Sequence, residues 1–240
     1  MMVMPADNSS FLMGWIAGTF PGRVGWLLNA CCWRQNPRAE MPWAMDNGAF
    51  GAWAQNRQWD ESAFYAKALM PWRPAPLWVA VPDVVMDRAA TLANWERHAP
   101  RLTGKTLAFV VQDGMTAADV PSNASVVFVG GSDAFKWGTV RGWCRDFPRV
   151  HVGRVNGERE LWQAHEAGAE SCDGTGWGRD PSRKDKMPAM IRYLEQSSNG
   201  GRPQMTMDAI LSIPNPMVHP SGGVSPTVTG ATRCSAFKDS

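Results

Sequence analysis

Three aspartates, Asp46, Asp83 and Asp173, each stand at the end of a short apolar run, beside proline, asparagine or glycine. Carboxylates resist burial, so three of them flanked by apolar residues suggest a polar cleft. Two carboxylates facing one sugar carbon can run a double displacement. One attacks the anomeric centre while the other handles the proton of the group that leaves or enters. For any of the three taken alone, the competing reading is a helix cap. Asp87 and Asp133 suit that role better, because each directly precedes a helical segment. Asp46 and Asp173 sit inside glycine-containing turns, DNGAFG and CDGTGWG, where the backbone can approach a ligand closely.

The elements that must position these residues follow a rhythm of apolar runs alternating with segments of helical periodicity, from Phe11 to about Gln196. Strands are expected at Phe11 to Gly18, Pro42 to Phe50, Pro76 to Val85, Thr106 to Gly114, Ser125 to Asp133, Arg149 to Asn156 and Glu170 to Trp177. Trp26 to Trp33 reads as an eighth strand or as the first helix. Helices are expected at Asp60 to Met70, Asp87 to His98, Phe135 to Arg145, Glu158 to Ala167 and Lys186 to Gln196. Continuously apolar strands separated by helices form a parallel sheet covered on both faces. Strand number favours an α/β fold of the (β/α)8 barrel type over an open doubly wound sheet. In such a barrel the chemistry lies at the C-terminal strand ends, which here carry Asp46, Asp83, Gln112, Asp113, Gly130, Gly131 and Asp173. Residues 1–196 are expected to form the barrel and residues 197–240, rich in Ser, Gly, Pro and Thr, a tail.

Several of these segments together resemble the tRNA-guanine transglycosylase superfamily. DNGAF (Asp46 to Phe50) is similar to its D-S-G-G-F loop, and PDVVMD (Pro82 to Asp87) with ATLANW (Ala90 to Trp95) to its base-recognition segment. VVQDG (Val110 to Gly114) resembles V-Q-G-G, and FVGGS (Phe128 to Ser132) resembles the I-G-G strand end. The stretch from His151 to Asp180 resembles the family's M-G-V-G, helix, G-x-D-x-F-D-C, T-R-x-G-R run. The matches keep the family's order. What the resemblance implies is exchange of guanine for a 7-deazaguanine through a covalent glycosyl-enzyme, with Asp173 as nucleophile at C1′ and Asp46 as general acid/base. Asp83 would accept from the N1 and exocyclic amine of the base, Gln112 and the amide of Gly131, beside Gly130, would donate to O6, and Gly153 would let the backbone lie close to the ring.

The sequence also departs from that family. Beyond Asp173 the one cysteine is Cys234, so the C-x-C-x-x-C zinc signature is not spelled out, and neither zinc nor another cofactor is expected. The resemblance is therefore closer to the compact transglycosylase-like enzymes of phages and bacterial DNA-modification clusters, with a guanosine of DNA, flipped or single-stranded, as the partner. Exchange on tRNA, a non-catalytic guanine- or nucleic-acid-binding subunit, and a barrel enzyme for a phosphorylated sugar are the alternatives. Arg179, Arg183, Lys184 and Lys186, just after the proposed nucleophile, could contact phosphate or form a solvated loop and helix face. Trp177 could stack on a base or fill the core.

Composition bounds the partners. The 240 residues are 44% hydrophobic and carry 24 basic against 22 acidic side chains, a net charge of +2, so nucleic acid can only meet a local patch. Arginine outnumbers lysine 18 to 6, which suits bidentate phosphate contacts or reflects base composition. Five cysteines without zinc spacing point to a reducing compartment, and no run suits a membrane, so a cytoplasmic location is expected, that of the host if the chain is phage-encoded. Assembly with copies of itself stays open. His98, His151, His165 and His219 are scattered and read as structural, and Cys31, Cys32 and Cys172 as packing residues.

Overall fold

The computed structural model describes residues 1–6, 11–33, 36–177 and 186–199. Eight parallel strands make one sheet: β1 (Met2–Pro5), β2 (Trp26–Asn29), β3 (Trp43–Asp46), β4 (Val79–Ala80), β5 (Leu107–Val111), β6 (Val126–Val129), β7 (Val150–Val152) and β8 (Ser171–Gly174). Their order is β1-β8-β7-β6-β5-β4-β3-β2. The two edges meet through parallel bridges, Val3 with Val24 and Ala6 with Leu27, so the sheet is nearly closed and barrel-shaped. Backbone bonds from Val3 N to Arg23 O and from Gly25 N to Val3 O, both 2.9 Å, tie that seam.

Alternation along each strand sorts side chains into two layers. Val3, Leu28, Trp43, Met45, Val79, Phe109, Val127, Val152 and Cys172 face outward under the helices. Met4, Leu27, Ala44, Trp78, Ala80, Ala108, Val110, Val126 and Phe128 fill the lumen. Alanines at 44, 80 and 108 leave room for the Trp78 indole. The lumen positions of β7 and β8 turn polar, with His151, Ser171 and Asp173 buried there.

An α-helix follows six of the strands: α1 (Phe11–Thr19) after β1, α2 (Ala49–Ala54) and α3 (Glu61–Ala68) after β3, and α4 (Arg88–His98) after β4. The others are α5 (Asp133–Asp146), α6 (Glu158–Ala167) and α7 (Lys186–Ser198), while β2 and β5 lead into 3-10 turns at Ala30–Cys32 and Ala117–Asp119. Asp87 caps α4 by accepting from Ala90 N at 2.9 Å. At α5 the cap is Ser132, not Asp133, which sits in the first turn and pairs with Lys136 at 3.0 Å.

One expected strand is a helix. Phe11 to Gly18 is a helix and not a strand: Met13 and Ile16 are buried at helical spacing while Leu12 and Trp15 face out. The first strand is instead the four residues Met2–Pro5, at the very start of the chain. Trp26 to Trp33 divides between a strand and a turn, because Asn29 turns its side chain back to accept from Cys31 N at 2.8 Å. Residues 1–202 group into one compact unit, and α7 ends two residues beyond the expected boundary at 196. Most of the expected tail lies outside the described residues. Among the described residues no helix is long and apolar enough to cross a membrane.

Candidate active site

Asp173 lies at the end of β8 and points into the lumen, 6% exposed. Its Oδ1 accepts from His151 Nε2 at 3.1 Å and from the Arg154 amide at 3.2 Å. The other ring nitrogen, Nδ1, is 2.8 Å from the Ser171 hydroxyl. A carboxylate only accepts, so Nε2 carries the hydrogen, and in the neutral ring Nδ1 then accepts from Ser171. Edge-on contacts from Trp78 (4.8 Å) and Phe128 (4.5 Å) fix the plane of the imidazole. His151 is thus fully buried with both ring nitrogens partnered, one of them by Asp173. Its partners are placed by parallel register, His151 beside Ser171, with Asp173 the next lumen position along β8.

Asp46 ends β3 on the lumen side, two residues beyond the lumen-facing Ala44, and pairs in register with Asn29. It and Asp173 thus face one mouth from strands three places apart around the sheet. The turn that follows depends on Gly48, which has φ +83° and where a Cβ would meet Asn29 Oδ1 at 2.7 Å and Cys31 Sγ at 2.9 Å. Burial, together with the Asp60 and Asp46 carboxylates, pushes the Cys31 thiol up to about 11, so it stays protonated. Cys172 is buried on the outer face of β8, away from Asp173, and burial raises its pKa far above the ordinary thiol value.

A further polar cluster follows β4 and β5. Asp83 Oδ1 accepts from Asn47 Nδ2 at 2.8 Å and its Oδ2 from Gln112 Nε2 at 2.6 Å. Asn47 is fixed by Val81 O (2.9 Å) and Ala49 N (2.8 Å), and Gln112 by the Met86 amide (3.0 Å). Burial lifts the Asp83 pKa to about 6, against the opposing pull of the two amide donors. Asn47 stands inside the DNGAF turn, yet it was not among the expected site residues. The Asx pattern, asparagine directly before glycine, was the one sequence signal for it.

The glycines divide by role. The Gly130 amide donates to Val111 O at 3.1 Å, so of the pair only Gly131 can offer its N–H to a base. Gly131 has φ +66°, and a Cβ there would strike Asp113 Oδ2 at 2.5 Å. Asp113 itself accepts from the Ser132 amide at 2.7 Å and hydroxyl at 2.5 Å, and so holds the loop after β6. At Gly153 a Cβ would meet the Phe128 ring at 2.6 Å, so this glycine makes room for an aromatic side chain of the lumen.

Arg154, with φ +57°, lies over the mouth. Its guanidinium stacks 4.9 Å from the Phe50 ring, donates to the Gly131 carbonyl, and is 3.9 Å from Asp133. Phe50 and Trp53 are exposed on α2, 5.7 Å apart. The cavities found elsewhere, about 190 Å³ beside Met13, Trp26 and Arg38 and about 340 Å³ beside Phe20, Arg23 and Glu195, touch none of the strand-end residues.

Of the expected phosphate contacts, Arg179, Arg183 and Lys184 lie outside the described residues. Lys186 begins α7 and folds back on the β8 loop, its Nζ 2.6 Å from where a Gly176 Cβ would stand. Arg192, also on α7, is tied to Glu158 at 2.7 Å. Trp177 is a buried core residue and not a stacking surface. His98 and His165 pair with the hydroxyls of Tyr65 (2.7 Å) and Tyr193 (2.8 Å), the structural roles expected of them. Among the described residues no three His, Cys, Asp or Glu side chains are grouped to hold a metal ion.

No protein-family model matches the chain, and no curated protein does. Solved structures do. One, the crystal structure of the Amycolatopsis orientalis BexX/CysO complex, superposes with a TM-score of 0.52 at 14% identity, over 85% of this chain and 93% of that chain. At that identity the likeness is one of fold alone.

Proposed function

We propose that the chain is a DNA-guanine transglycosylase on a (β/α)8 barrel, with two of the eight helices reduced to 3-10 turns. One observation carries this reading: a clamped carboxylate, Asp173, and a second one, Asp46, occupy lumen positions at the same mouth as the half-buried Asp83 and its buried partner Gln112. Asp83 and Gln112 match the donor and acceptor pattern of guanine. The carboxylate accepts from N1–H and the exocyclic amine, while the second Nε2 hydrogen of Gln112 and the Gly131 amide face O6. A base lacking that pattern would leave a buried donor unpaired, at a cost of about 1 to 3 kcal/mol.

In the first step an Asp173 oxygen attacks C1′, the C1′–N9 bond breaks with its electron pair passing to the base, and Asp46 gives up a proton to that base. In the second, the incoming 7-deazaguanine loses its N9 proton to Asp46 and attacks C1′, and the glycosyl–oxygen bond returns its pair to Asp173. Two inversions give net retention. Neither a redox cofactor nor a metal enters these steps. DNA is preferred to tRNA as substrate because the zinc signature of the tRNA enzymes is not spelled out after Asp173.

Incubation with labelled guanine and single-stranded DNA, duplex DNA or tRNA tests the reading. Label is expected in DNA, and in none of the three with Asp173→Ala. Incorporation into tRNA alone would move the substrate to the runner-up, and undiminished exchange by Asp173→Ala would end the assignment.

A further inference from the structure

Ser171, His151 and Asp173 form a hydrogen-bonded line of 2.8 and 3.1 Å that resembles the serine–histidine–aspartate arrangement of hydrolases. Here its direction is reversed. Ser171 lies one lumen position below Asp173, about 7 Å toward the N-terminal end of β8, and is 3% exposed beneath a fully buried His151. No substrate reaches that hydroxyl. The group at the mouth is the carboxylate, so the serine and the imidazole serve Asp173.

We propose that His151, held by Ser171, is a positioning residue that pins Oδ1 of Asp173 and so selects Oδ2 as the oxygen that bonds to C1′. The proposal rests on the reading of Asp173 as nucleophile. Both donors, the His151 ring and the Arg154 amide, go to the same oxygen, and Oδ2 accepts no hydrogen bond among the described residues. The clamp is itself rigid. Trp78 and Phe128 meet the imidazole edge-on, and the buried Lys136 ammonium holds the carbonyls of Gly153 (3.1 Å) and Arg154 (3.4 Å), which sets the Arg154 amide toward Asp173. Among the described residues, no hydrogen bond to Oδ2 has to be given up when it attacks. Once the C1′–Oδ2 bond forms, Oδ1 becomes an ester carbonyl and the two hydrogen bonds weaken. They recover their charge-assisted strength as the bond breaks again. The clamp therefore favours departure of the glycosyl group and keeps the covalent enzyme from accumulating.

The test compares wild type with His151→Phe, His151→Gln and Ser171→Ala, reading the exchange rate, the KM for base, and the steady-state fraction of enzyme bound covalently to single-stranded DNA. His151→Phe is expected to lower kcat roughly 100-fold, with KM for base unchanged and the covalent fraction raised. His151→Gln, which keeps a donor, is expected to recover part of the rate, and Ser171→Ala to lose less than His151→Phe. Folded His151→Gln and His151→Phe proteins with wild-type rate and covalent fraction would overturn the proposal, as would an equal fall in both that leaves the covalent fraction unmoved. The ¹⁵N spectrum of the His151 ring needs no substrate. The Nε2–H tautomer is expected, shifted in Asp173→Asn, and a ring protonated on Nδ1 alone would equally overturn the clamp. If the wild type exchanges no base, the parent reading fails while this spectrum still decides the clamp.

Discussion

Gln112 donates its side-chain amide to Asp83 at 2.6 Å, and Asn47 approaches the other oxygen of the same carboxylate at 2.8 Å. An ionised carboxylate offers about four lone-pair sites. With two taken by protein amides, two remain for the N1–H and amine of a guanine edge, provided the group is charged.

That requirement gives a pH dependence. Burial raises the Asp83 pKa to about 6, so the accepting form is lost as pH falls through that value. Binding of guanine is expected to be level above pH 7 and to weaken about tenfold per unit below pH 6. Isothermal titration between pH 5 and 8 measures it. Stability runs the other way: the folded pKa lies above the ordinary 3.8, so the native state binds the extra proton and gains stability as pH falls from about 6 toward 4. An affinity that stays flat to pH 5 would remove Asp83 from base recognition.

Asn47 is the brace of this cluster, bonded to Asp83, Val81 O and Ala49 N in a nearly solvent-free site. Asn47→Ala leaves those groups without their partner, and a loss of about 1 to 3 kcal/mol is expected in urea unfolding. With one stabilising donor gone, the Asp83 pKa is expected to rise above 6, and the midpoint of the affinity profile with it. A stability loss with an unmoved midpoint would mean that Asn47 braces only the turn.

How far the sequence reveals this site depends on where each contact comes from. Asp46, Asp83, Gln112 and Asp173 are legible because each ends an apolar run and precedes a turn, and strand ends are where a barrel exposes polar groups. The His151 clamp is not legible. It depends on β7 pairing with β8 so that His151 stands beside Ser171, and alternation within one strand carries no such register. The helix at Phe11–Thr19 was hidden for another reason. Its apolar residues occur all round, with Leu12 and Trp15 left facing out, so neither period dominates. β1 offers only the four residues Met2–Pro5, too short an apolar run to stand out as a strand even though Asp7, Asn8 and Ser9 follow it.

Two glycines separate packing need from helix preference. A Cβ at Gly153 would sit 2.6 Å from the Phe128 ring, which itself contacts His151 at 4.5 Å, whereas at Gly138 in α5 nothing lies within 4 Å. Gly153→Ala is expected to cost about 1 to 3 kcal/mol by overpacking, and Gly138→Ala to gain about 0.5 to 1 kcal/mol by removing backbone freedom. Urea midpoints for the two variants check both signs. A neutral Gly153→Ala would show that Phe128 can shift without cost, and with it the floor under His151.

Lys136 links the outer layer to the reacting carboxylate. Its ammonium is 1% exposed, 3.0 Å from Asp133 and within hydrogen-bond reach of the Gly153 and Arg154 carbonyls. Lys136→Met keeps the aliphatic stem and removes those bonds, which strands two carbonyls at a cost of about 1 to 3 kcal/mol. The same loss frees the loop that holds the Arg154 amide against Asp173 Oδ1. Exchange by Lys136→Met is therefore expected to fall at least tenfold at a temperature where circular dichroism shows the fold intact, because a carboxylate free to rotate spends less time in the attacking orientation. A destabilised variant that keeps the wild-type rate per folded molecule would place Lys136 in the scaffold alone and cut its connection to the nucleophile.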